Sequence, residues 1–176
     1  MSLTMHEPEG FPVLATAKVA AVLTFAAPEA PKLAEINVAS SVDLSLFLRG
    51  LPAEISTNTG MRPSGMGSSV DLGRGGRTQI PAFTVRYPFN PQDPDDSTPD
   101  NKAKGLLKRG TRLWLAVRKG IDADQPFAAD DVLEMWKVKC EEQTRPNDGD
   151  EFADNEIQQV LTPLRRPIYD VVLVSA

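Results

Sequence analysis

The sequence predicts a mainly β fold with long irregular connections, and three observations predict it. Apolar and polar residues alternate with period two in several stretches, as half-buried strands require. Fifteen prolines and twelve glycines cluster between those stretches, where turns and loops need them. Helical spacing is confined to short segments, the clearest of them just ahead of the longest alternating run. At 176 residues the chain fits one domain. We read residues 1–12 as an N-terminal arm and 13–176 as a single β domain, with a Gly-rich extended arm or loop at 49–79.

Residues 102–144 organise the rest. Ala103, Leu106 and Leu107 fall at i, i+3 and i+4, giving a short helix one apolar stripe. Thr98 is its expected cap, Pro99 its first residue, and Gly110 its left-handed stop. Residues 111–119 then alternate, with Leu113, Leu115 and Val117 opposite Arg112, Trp114, Ala116 and Arg118. Residues 132–142 alternate as well, with Glu134, Trp136, Val138 and Cys140 opposite Leu133, Met135, Lys137 and Lys139. The two runs make a hairpin across a turn-rich loop, and Trp114 and Trp136 are placed to meet as a cross-strand pair.

Taken in order, residues 13–25 read as an Ala/Val-rich strand and 31–36 as a helical turn. Residues 42–48 read as a strand with Val42, Leu44, Leu46 and Leu48 on one face. Residues 49–79 hold seven of the glycines and too few apolar residues for a core. Either a flexible loop or a long hairpin arm ordered against another molecule fits, and the second is favoured. Phe83, Val85, Tyr87 and Phe89 share a face of a strand in which Pro81 and Pro88 mark either an edge position or the strand's ends. After an acidic loop over 141–155, residues 155–161 and 167–175 read as two more strands.

Chemistry is sparse. The net charge of −5 argues against general attraction to nucleic acid. The single histidine, His6, and the single cysteine, Cys140, allow no disulfide, metal cluster or internal dyad. No apolar run spans a membrane, and residues 15–27 lack a basic flank for a signal peptide. Arg74-Gly75-Gly76-Arg77 lacks the Lys-Ser/Thr ending of a phosphate loop. Asp93, Asp95 and Asp96 lack calcium-loop spacing, and Glu141 and Glu142 point to opposite strand faces. No catalytic, cofactor-binding or metal residues are identified, and the chain is read as not an enzyme.

Three segments, in this order, resemble the major tail protein, or tail tube protein, of long-tailed bacteriophages. They are FAAPEAPKLAEINVASSVDLSLFL, then YPFNPQDPDD followed by LLKRGTRLWLAVRKG, and then DVLEMWKVKCEEQ. The chain's ending departs from the relatives that carry an added C-terminal domain. The resemblance implies a β-sandwich or barrel-like protomer with a flanking helix, forming hexameric rings that stack into a DNA conduit in the virion tail. It also implies synthesis in the host cytoplasm and partners among the tape measure, tail terminator and distal tail proteins, with DNA passing unbound and no membrane contact. On that basis Arg62, Met66, Arg74 and Arg77 become ring-stacking candidates. Asp43 and Glu134 become lumen-facing candidates, ahead of Asp170; the alternative for each is pairing across the sheet with Arg86, Arg118 or Lys137. Two other readings are a tube or head–tail joining part of a phage-derived gene-transfer or injection device, and a monomeric β-sandwich binding module.

Overall fold

The computed structural model describes residues 17–48, 51, 55–57, 60–62, 72–74, 77–93, 95–96, 98, 101–145 and 155–175. Its centre is an antiparallel sheet curled into a half-barrel, in the order β2-β1-β8-β9-β10-β7. These strands are β1 (Ala17–Val22), β2 (Val42–Asp43), β7 (Phe83–Pro88), β8 (Arg112–Lys119), β9 (Val132–Thr144) and β10 (Glu156–Pro163). A last strand, β11 (Ile168–Val172), also pairs with β9. It follows β10 along the same edge of β9: β10 takes Val138 to Thr144 and β11 takes Val132 to Met135. Between 49 and 79 lie β3 (Ile55–Thr57), β4 (Gly60–Arg62), β5 (Leu72–Arg74) and β6 (Arg77–Gln79).

Period-two geometry splits the apolar residues between the sheet's two faces. On the concave face Val19, Ala21, Leu113, Leu115, Val117, Trp136, Val138 and Cys140 join Phe83, Val85, Tyr87, Phe89, Ile157 and Leu161 in the larger core. On the other face Ala20, Val22, Trp114, Ala116, Leu133 and Met135 pack beneath Phe25, Ile36, Phe127, Val171 and Leu173. Strands covered on both faces read as nearly continuous apolar runs, which explains the sequence of β1 and β8.

Helix α1 (Leu33–Ile36) is the expected helical turn, closed by Glu35, whose carboxylate accepts from the Lys32 amide at 2.9 Å. Helix α2 (Lys102–Leu106) starts later than the sequence suggests. Thr98 does not cap it; the Thr98 hydroxyl donates to the Asp95 carbonyl at 3.0 Å instead. Asn101 stands at the start of α2, fully buried, and its side-chain amide ties the preceding loop through the Asn90 and Asp93 carbonyls. Gly105 is required there, since a Cβ would sit 2.6 Å from the Asp96 carbonyl oxygen. Gly110, at φ +83°, makes the expected left-handed stop.

Residues 42–48 are a strand only over Val42–Asp43. The Asp43 carboxylate accepts from both the amide and the hydroxyl of Ser45, and Ser45 Oγ in turn accepts from the Val19 amide. Such local bonds give the backbone an alternative to the ladder. The chain turns, leaving Leu46 88% exposed, and reaches the far edge of the sheet, where Leu48 bridges Val85. One short segment thereby joins the two edge strands of the curl. The Trp pair is also corrected: Trp114 lies opposite Lys137, and Trp136 opposite Leu115, so the indoles occupy opposite faces. Trp136 meets Phe83 edge-on at 6.3 Å. Residues 141–144, expected in a loop, extend β9.

Candidate functional site

The β8–β9 connection is built around a cation that alternation places on the same face as Trp114 and Ala116. Arg118 is 1% exposed. One of its terminal nitrogens pairs with Asp131 at 2.8 Å and donates to the Pro126 carbonyl at 2.7 Å. The other donates to the carbonyls of Asp122 and Gln125 at 3.0 and 2.7 Å. The Phe127 ring lies 5.3 Å from the guanidinium, and Lys18 adds a bond to the Ala123 carbonyl at 2.7 Å. A buried guanidinium needs this many partners to offset its lost hydration. The loop is fixed in shape, while Asp122, Asp124 and Asp130 stay exposed on its outside.

A second polar cluster holds α2 onto the concave core. Gln159 Nε2 donates to the carbonyls of Leu107 and Glu141 at 2.7 and 2.8 Å. Gln143 Nε2 reaches Leu107, Lys104 and the Tyr87 hydroxyl, which itself donates to Gln159. A register shift between Gln159 and Leu161 lets Gln143 join this face. Burial pushes the Tyr87 phenol up, against the opposing bond from Gln143. Next to it, burial and the Glu141 charge push the Cys140 thiol up to about 12, so it packs as a small apolar side chain, as its place in the strand suggests.

Asp43 and Glu134 are not brought together. Asp43 lies opposite Ala20, on the face of the smaller core, and pairs with Lys18 at 3.2 Å. Partial burial opposes its ionisation, but the Ser45 bonds and Lys18 outweigh that and hold the carboxyl below its ordinary value. Glu134 lies opposite Val117, on the other face, where Lys119 meets it at 2.6 Å and the Trp136 indole N–H at 3.3 Å. Both carboxylates therefore pair with lysines, and the alternative partners Arg86, Arg118 and Lys137 are corrected. Period two explains the mistake: Arg118 turns into the loop, and Lys137 lies over Trp114 at 5.3 Å. Asp170 is exposed at φ +55°, within the register shift of β11.

The ring-stacking candidates fall in paired backbone. Ile55 faces Gln79 and Thr57 faces Arg77, while Gly60 faces Arg74 and Arg62 faces Leu72. The two ladders share one register, with the paired residue numbers summing to the same value in both. Met66 lies outside the described residues, as does the N-terminal arm over 1–12.

Trp114 was missed as a site. Lys137 and Arg165 both lie over its ring, at 5.3 and 5.6 Å, and Arg112 lies directly opposite Lys139 on the next strand. A tryptophan alternating with cations on one strand face was the available signal. Among the described residues no three His, Cys, Asp or Glu side chains converge to hold a metal ion, and no helix is long and apolar enough to cross a membrane.

What this architecture offers is surface, loops and two short ladders beside a curled sheet. No curated protein matches the chain. The phage tail tube protein family matches residues 5–176, nearly its full length. That breadth places the half-barrel, both short ladders and both cores inside one family's pattern, and the family's role is structural. The chain belongs to the phage tail tube protein family and is a structural component of the virion tail.

Proposed function

We propose that the protein polymerises as stacked hexameric rings forming the tail tube, a non-enzymatic conduit through which DNA is delivered. The observation that carries this reading is the family match over residues 5–176. The β3–β6 and β4–β5 ladders pair with no other strand among the described residues and suit a contact with a neighbouring ring. Arg62, Met66, Arg74 and Arg77 make that contact. Six copies, each with a formal charge of −5, give about −30 per ring, which lets DNA pass without adhering. Asp43 and Glu134, on opposite faces of the sheet, are each a candidate for the lumen, the one on the channel-lining face being the one that faces it. The tape measure, terminator and distal tail proteins are its partners, and synthesis takes place in the host cytoplasm.

Electron microscopy of the purified protein and of particles carrying it tests this reading. Rings or tubes are expected. A monomer at high concentration, together with no tube in the native particle, overturns it.

A further inference from the structure

On an acidic protein, one open part of the sheet is cationic. Arg112, Lys137, Lys139 and Arg165 gather around the edge of Trp114, and among them only Lys139 has a carboxylate partner, Glu141 at 3.1 Å. Arg112 and Lys139 stand directly opposite each other on neighbouring strands, and Lys137 and Arg165 share one indole. Like charges so placed repel and destabilise the isolated fold. Among the described residues nothing neutralises Arg112, Lys137 or Arg165.

The chain also carries the complement. Asp122, Asp124 and Asp130 are exposed on the Arg118-clamped loop, and none of them forms an ion pair among the described residues. This loop sits at the far end of β8, and eight residues of strand place it roughly 20 Å from Arg112. One copy cannot satisfy its own patch. We propose that the Asp122–Asp124–Asp130 loop of one copy docks on the Arg112–Lys137–Arg165 face of the next, a head-to-tail contact between subunits. A head-to-tail contact closes into a ring when its rotation allows. Because Arg118 already holds the loop in shape, docking loses little conformational freedom. The inference rests on the self-assembly reading and names the contact that carries it.

The test compares four full-length chains by sedimentation and electron microscopy, with circular dichroism as the check on folding. They are the unaltered chain, Arg112→Glu with Arg165→Glu, Asp122→Lys with Asp124→Lys, and all four substitutions together. The last leaves the net charge of −5 unchanged. Each two-site variant is expected to fold but to need about tenfold more protein to assemble, as lost interfacial charge pairs imply. The four-site chain, with both charges exchanged, is expected to recover assembly. If the unaltered chain never assembles, both the self-assembly reading and this contact fall. If it assembles, and the two-site variants match it or the folded four-site chain does not recover, the contact alone is overturned.

Discussion

Arg118 and Asp131 form an ion pair at 2.8 Å inside the fold, with side chains 2% and 9% exposed. The same carboxylate oxygen accepts from the Ala128 amide at 2.8 Å. Removing either partner strands a buried charge. Arg118→Met is expected to destabilise the fold by about 3–5 kcal/mol, since it also frees three loop carbonyls. Denaturant unfolding measures this, and a change below about 1 kcal/mol would show that the loop does not depend on the pair.

The α2 anchor is a separate test. Gln159→Leu keeps the size of the side chain but leaves the Glu141 carbonyl without this donor and weakens the hold on Leu107. A loss of about 1–3 kcal/mol is expected. Hydrogen exchange should quicken first at the amides of Gly105 and Leu107, which bond within the α2 turn. Uniform quickening across β8 and β9 would contradict a local anchor.

The two short ladders are expected to separate folding from assembly. Replacing residues 62–76 with a short Gly/Ser linker removes β5 and the last residue of β4, which pair only with each other among the described residues. The melting temperature should stay within a few degrees while tubes disappear. Tubes of normal appearance from that variant would exclude a stacking role for the arm.

Because Asp43 and Glu134 lie on opposite faces, their lumen assignments are tested one at a time. Asp43→Lys or Glu134→Lys should permit tubes, and the substitution that faces the channel should slow genome delivery in low salt, where DNA attraction is strongest. Asp43 has a folded-state carboxyl held below its ordinary 3.8. The resulting stabilisation is present above that value and lost as pH falls through the depressed one. Neutral-pH delivery assays therefore read the ionised residue. Unchanged delivery for both variants at low salt removes both from the lumen.

Much of the fold was legible because alternation reports directly on strand faces. Leu113, Leu115 and Val117 fell on one face, Phe83, Val85 and Tyr87 on one face, and the edge position of β7 was one of the two readings its prolines allowed. What escaped was decided by side chains bonding to distant or local backbone. Asp43 and Ser45 bent a run that alternates as well as any strand. Arg118 read as a cross-sheet partner for a strand carboxylate until the loop carbonyls around it were known. Asn101 displaced Thr98 at the start of α2 because its amide reaches two carbonyls at once. The site was less legible still. Faces could be read for Asp43 and Glu134, but which lysine answered each depended on strand order, which no local pattern carries.

The way β10 and β11 share one edge of β9 also bears on the order of events during synthesis. Leu173 exchanges backbone bonds with Asp130 and Asp131, and Val174 with Pro31 and Leu33. The second core, which includes Ile36 and Phe127, is thus closed by residues translated after the other strands of the sheet. A nascent chain can curl its sheet around the concave core once β10 is made, but the outer face stays open until the ribosome has passed Val174. Chains released early keep Ala20, Val22 and Met135 uncovered, a surface that proteases and chaperones recognise. In a polymer of identical subunits, where a single defective copy interrupts the row, that late closure separates chains with a covered outer face from chains without one before they meet.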